Sequence, residues 1–124
     1  LGLGFGYGGV DDLVKLGGPA YAAEMLFTGS RYGAEDARRM GLVNRVVAYA
    51  DLEDTVRDIA GIIAANAPLT LKSVKTSIRN TQLDESGRDM ADVQAQIDAC
   101  FASDDYKEGQ AAFMEKRAPE FKGR

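Results

Sequence analysis

Apolar residues along this chain recur mostly every three or four positions, the spacing of a helix face rather than of a strand. Val10, Leu13, Val14 and Leu16 form the first such set and predict a short helix from Gly9 with those side chains inward. Gly17-Gly18 close it, and Pro19 suits the first turn of the next helix, "PAYAAEMLFTG", which should stop at Gly29. "AEDARRM" predicts two further turns, with Ala37 and Met40 on one face and Gly41 as a left-handed cap. Leu52, Val56, Ile59 and Ile63 mark another helix face, with Asp51 placed to cap it. From Pro68, Leu71, Val74 and Ile78 point inward while Lys72, Lys75 and Arg79 point outward. Met90, Val93, Ile97 and Phe101 define a further face. Ser103 caps the last helix, "DDYKEGQAAFMEKR", which starts on Asp104-Asp105 and carries Lys116 and Arg117 in its last turn, the order the helix dipole favours.

Two stretches break the helical rhythm. Arg31-Tyr32 reads as a short extended piece, and "LVNRVV" over 42–47 is the best strand candidate. The expected fold is therefore mainly α with one or two short strands. So few strands cannot make a stable sheet alone. The strand and the opening glycine turn read as the margin of a larger fold.

Composition narrows the function. At 45% hydrophobic and 27% charged, the 124 residues are those of a globular protein with a core. The net charge is −4 and the 15 Lys and Arg are scattered, which argues against nucleic acid. A helix-turn-helix over 34–47 suffers from that acidic balance and from the strand expected after Gly41. The sequence has no His, which removes serine triads and the usual zinc sites, and no metal site is expected. Cys100 is the only cysteine and sits on the Ile97 stripe, so it reads as a buried structural thiol in a reducing cytoplasm. No apolar run approaches a membrane span, and no membrane association is expected.

The candidate chemistry is sparse. Gly4-Phe5-Gly6-Tyr7-Gly8-Gly9 meets the letter of G-x-G-x-x-G. A dinucleotide loop also needs a strand before the helix and another after it, whereas Gly17-Gly18-Pro19 leads into a second helix. The plainer reading is a bent backbone leaving N–H groups free at a helix start, where an anion or a polarised carbonyl oxygen is favoured. Asp11-Asp12, Glu35-Asp36 and Asp104-Asp105 all read as charge at helix starts. Tyr7 and Tyr106 read as packing aromatics. Phe113 and Lys116, three apart, could hold a flat phosphorylated ligand, or could simply be a solvated helix end.

Several stretches together resemble one family. "LFTGSRYGAEDARRMGLVNRVV", the glycine turn "GFGYGGVDDLVKLGG", "NAPLTLKSVKTSIRN" and the ending "SDDYKEGQAAFMEKRAPEFKGR" follow, in order, the pattern of the enoyl-CoA hydratase/isomerase (crotonase) superfamily. The resemblance implies the C-terminal helical portion of a crotonase-type α/β (ClpP/crotonase-like) fold. Residues 1–50 would end the spiral core, and 51–124 would form the helical oligomerisation region of a trimer or dimer of trimers. It implies an acyl-CoA-transforming enzyme without a resident cofactor, in which an oxyanion hole upstream of Leu1 stabilises a thioester enolate. The 124-residue piece alone would be inactive, and a non-catalytic helical oligomerisation module is the alternative. By resemblance the Gly6 backbone adjoins the active site, and no catalytic side chain is expected in this stretch. Phe113 and Lys116 would touch the adenine and phosphate end of coenzyme A on a neighbouring subunit. Phe5 stands where many hydratases have Pro, and Val10-Asp11-Asp12 replace a common T-Q-R, so the reaction within the superfamily stays open.

Overall fold

The computed structural model describes residues 2–124, so Leu1, the first residue of the glycine turn, lies outside the described residues. Among these residues the chain forms α1 (Tyr7–Gly17), α2 (Pro19–Thr28), α3 (Ala34–Arg39), α4 (Leu52–Ala64), α5 (Pro68–Thr81), α6 (Met90–Ala102) and α7 (Asp104–Glu115). Short 3-10 turns cover Tyr49–Asp51 and Glu85–Gly87. The mainly α expectation holds, but no strand forms among the described residues. Arg31-Tyr32 and 42–47 are irregular. β-branched side chains favour a strand only where a neighbouring strand completes the hydrogen-bond ladder, and the described residues supply no such neighbour.

The helix ends follow local chemistry. Gly18 (φ 83°) stops α1 and donates its N–H to the Val14 carbonyl at 2.8 Å, and Pro19 opens α2. The Asp89 carboxylate caps α6 through the Asp92 N–H, and Ser103 Oγ caps α7 through the Tyr106 N–H at 3.1 Å. Two starts differ from expectation. α1 begins at Tyr7, which moves Asp11-Asp12 out of the first turn, and Asp11 pairs with Lys15 at 2.6 Å. Asp51 belongs to the 3-10 turn that runs into α4, its N–H bound to the Ala48 carbonyl. The last helix also stops sooner, at Glu115, leaving Lys116 and Arg117 beyond it.

The chain divides into two compact units, Leu1–Leu52 and Glu53–Arg124. In the first, α1 packs on α2, and Ala22 and Met40 are buried. The ends of α1 and α3 approach so closely that a Cβ on Gly41 (φ +80°) would stand 3.1 Å from the Leu16 carbonyl oxygen. In the second, α6 packs on both α5 and α7. Asn80 ties the α5–α6 connection: its amide donates to the Thr76 carbonyl, and its Oδ1 accepts the Asp89 N–H at 2.8 Å.

Both cores are small. Val93 and Ala112 are the buried apolar residues of the second unit, joined by Ser73, Asn80, Ser103 and Asp105. Many residues assigned inward by periodicity are exposed: Leu16, Leu52, Val56, Ile63, Val74, Ile78, Met90 and Phe101. The accessible surface is 9915 Å². Two separate compact domains of these lengths would together expose about 7,800 Å². The chain thus carries about 2,000 Å² of surface beyond what its size requires. The helices have their amphipathic faces, but among the described residues much of each face stays uncovered.

Candidate functional site

In the glycine turn, Gly6 caps α1 with an extended backbone (φ −65°, ψ 141°), and its carbonyl accepts the Val10 N–H at 3.3 Å. A Cβ built on Gly6 meets nothing within 4 Å, so the turn faces open space. Tyr7 is 85% exposed, which overturns its reading as a packing aromatic. Nothing in this unit's described residues covers its ring. The helix start presents backbone N–H groups as expected, but α1 leads straight to α2, which removes the dinucleotide context. The helix-turn-helix reading also fails, since α3 is followed by the irregular 42–48 segment.

The three carboxylate pairs separate once their partners are known. Asp36 receives the Gly33 N–H at 3.2 Å and the Arg39 guanidinium, and these contacts, Arg39's first, hold its carboxyl below the usual carboxylate range. Asp104 pairs with Lys107 at 3.0 Å, and that hydrogen bond lowers its carboxyl likewise. Asp105 is different. It is 4% exposed, and its two oxygens accept the Lys122 N–H at 2.6 Å and the Gly123 N–H at 2.7 Å. The Asp104 and Asp105 N–H groups in turn donate to the Arg124 carbonyl at 2.8 and 3.2 Å. The last residues of the chain are therefore strapped across the start of α7. Helix-start charge was legible in the sequence; the strap was not, because its partners lie far along the chain.

Two of the predicted site residues sit at the other end of α7. Phe113 is 82% exposed on the last turn. Lys116 lies past the helix in the left-handed region (φ 55°, ψ 39°), so the two do not share a helix face as expected, although they remain adjacent. Phe113 borders an apolar cavity of about 600 Å³ with Ile97, Cys100, Phe101, Tyr106 and Phe121. The Phe101 and Tyr106 rings meet edge to face at 5.3 Å, so Tyr106 does pack. Cys100 is half-buried in this wall rather than fully enclosed. Gly6 belongs to the first unit, whereas Phe113 and Lys116 belong to the second.

Sequence reasoning missed Glu108. Its carboxylate takes both terminal nitrogens of Arg117, at 2.5 and 3.0 Å, together with the Glu120 N–H at 2.8 Å. The Arg117 contact, then the Glu120 N–H, lowers the Glu108 carboxyl to about 2, and the same pair raises the Arg117 guanidinium. Among the described residues no cluster of His, Cys, Asp and Glu suits a metal ion, and no helix is long and apolar enough to cross a membrane.

Comparison with known proteins adds what this geometry leaves open. A family model described as enoyl-CoA hydratase/isomerase matches residues 1–124. Carnitinyl-CoA dehydratase of Escherichia coli is 41% identical over 121 residues, covering 94% of this chain and 46% of that protein. Short-chain-enoyl-CoA hydratase of Clostridium acetobutylicum is 36% identical over 125 residues, covering 100% of this chain and 48% of that protein. Among solved structures, an enoyl-CoA hydratase from Bacillus anthracis superposes with a TM-score of 0.84 at 36% identity, over 96% of this chain and 46% of that one. The chain spans about half the length of the curated relatives it matches.

Proposed function

This chain belongs to the enoyl-CoA hydratase/isomerase family, and on that premise we propose that it is the C-terminal part of an acyl-CoA-transforming enzyme, an enoyl-CoA hydratase or isomerase. The observation that carries this reading is the match of the whole chain to the family, together with relatives named for the hydration or dehydration of CoA thioesters. The thioester is the substrate, and no resident cofactor is needed. Backbone N–H groups outside this stretch hold the thioester oxygen as it becomes an enolate, and that electrostatic stabilisation drives the chemistry. The Gly6 backbone lies beside the reacting centre. Phe113 stacks on the adenine of coenzyme A bound to a neighbouring subunit, and Lys116 meets its phosphate.

Residues 1–50 close the spiral core and 51–124 assemble the oligomer, a trimer or dimer of trimers. The exposed apolar faces support assembly. The surplus of about 2,000 Å² on one chain exceeds the roughly 800 Å² that each partner buries in a standard interface, and is on the scale of a large obligate one. A reducing, cytoplasmic setting is part of this reading, and the single cysteine of these residues, Cys100, supports it.

Crotonyl-CoA hydration tests the reading. The full protein that carries this chain should turn it over, and a verified 124-residue chain should not. Turnover by the 124 residues alone would overturn the division of labour. A non-catalytic helical oligomerisation module is the second reading, favoured by the same exposed faces. It requires self-association without turnover even in the full protein. A clean monomer of the 124-residue chain at micromolar concentration, by light scattering, counts against it.

A further inference from the structure

Lys116 is the one residue other than glycine with positive φ among the described residues. Left-handed backbone is unfavourable for a side chain with a Cβ, so surrounding contacts must hold it there. Helix-end bonds do part of this, the Lys116 N–H donating to the Ala112 and Phe113 carbonyls, and Glu108 adds to them. Arg117, the next residue, is held by its backbone N–H on the Ala112 carbonyl at 3.0 Å and by a two-pronged ion pair to Glu108. Its Nε reaches Glu115 at 2.7 Å. Three residues further on, the Glu120 N–H donates to the same Glu108 carboxylate at 2.8 Å. The chain is thereby pinned on α7 at 117 and again at 120, and Lys116 is left to make the turn. The Glu108 side chain is only 24% exposed, so this is not a freely solvated surface pair. Arg117 is occupied by two carboxylates, whereas the Lys116 ammonium takes part in no ion pair among the described residues.

We propose that Glu108, acting through Arg117, is a positioning residue that locks the end of α7 so that the Lys116 ammonium is held beside the exposed Phe113 ring, facing the phosphate of coenzyme A whose adenine that ring meets. This rests on the reading of Phe113 and Lys116 given above. A bidentate guanidinium–carboxylate pair has the stiffness for the task, since it fixes direction as well as distance. Fixing the Lys116 backbone in advance removes part of the ordering cost of binding. Glu108 touches no ligand itself, and its effect on affinity must pass through Lys116.

The test is a double-mutant cycle on the full protein, with coenzyme A affinity read by calorimetry. Lys116→Ala should weaken binding by about fivefold, the upper scale of one exposed charge contact. Glu108→Gln should weaken it by about threefold, raise KM and leave kcat unchanged. The double variant should bind no more weakly than Lys116→Ala alone. Additive losses, or parental affinity in Glu108→Gln, would overturn the positioning role. Parental affinity in Lys116→Ala would instead sink the coenzyme A reading of Lys116, and the positioning proposal with it. Amide exchange at Arg117 checks the clamp without ligand. Protection should fall in Glu108→Gln and return when Lys116→Gly is added, because glycine takes the left-handed turn unaided. Undiminished Arg117 protection in Glu108→Gln rejects the clamp whatever the affinities show. Should Glu108→Gln not fold, Arg117→Lys, which keeps the charge and loses the fork, is predicted to show the same Lys116-dependent loss of affinity, and additivity there also overturns the proposal.

Discussion

Replacing Asp105 by alanine should release the end of the chain from α7. In the structure this carboxylate is 4% exposed and accepts two backbone N–H groups, from Lys122 and Gly123. A hydrogen bond to a charged group contributes about 1.5–3 kcal/mol. Two would give about 3–6 kcal/mol if simply added, but Lys122 is exposed and Gly123 partly so, and water can reach the freed donors. A loss of about 2–3 kcal/mol is the expected result, including a few tenths for the acidic charge removed from the helix start. For a unit of about 70 residues that lowers Tm by roughly 10–20 °C. Asp105→Asn should fall between the two, because its carbonyl can still accept one N–H while its amide faces the other donor. Thermal melting gives the stability, and amide exchange at Lys122 and Gly123 gives the location. A Tm within about 3 °C of the parent, with both amides still protected, would refute the strap as a stabilising element.

Three further outcomes follow from the same geometry. Gly41→Ala should cost about 1–2 kcal/mol in a denaturant melt, because its φ is +80° and its Cβ would press on the Leu16 carbonyl oxygen at 3.1 Å. Ala112→Leu should cost about 1–3 kcal/mol by overpacking, since Ala112 is 1% exposed in the small core of the second unit; an unchanged midpoint would mean that this core has slack. The Glu108 carboxyl is depressed from 4.5 to about 2, so its stabilising effect is present above about pH 4.5 and is lost as pH falls through about 2. Carbon NMR titration of Glu108 should show that low midpoint, and Arg117→Met should return it toward 4.5.

The helix boundaries were legible because their causes are local. Gly29, Gly41, Pro68 and Ser103 each stop or start a helix through their own backbone or hydroxyl, and each does so here. The direction of burial was much less legible. Periodicity shows that Val74 and Ile78 share a face, but not what covers it, and in this chain that face is open. The same limit removed the strand over 42–47, whose β-branched residues need a partner ladder to become one. The site divides along the same line. Phe113 and Lys116 stand out by residue type and family pattern. Asp105 reads in the sequence only as helix-start charge, and the contacts that give it and Glu108 their roles lie nine to eighteen residues away.

The central claim is that this chain supplies the assembling, coenzyme A-holding part of an acyl-CoA enzyme. A crystal structure of the full protein with a coenzyme A thioester bound tests it most directly. The account predicts the adenine against the Phe113 ring and a phosphate within hydrogen-bond reach of Lys116 Nζ from a neighbouring subunit. A ligand bound elsewhere, with the end of α7 facing only solvent, would contradict it.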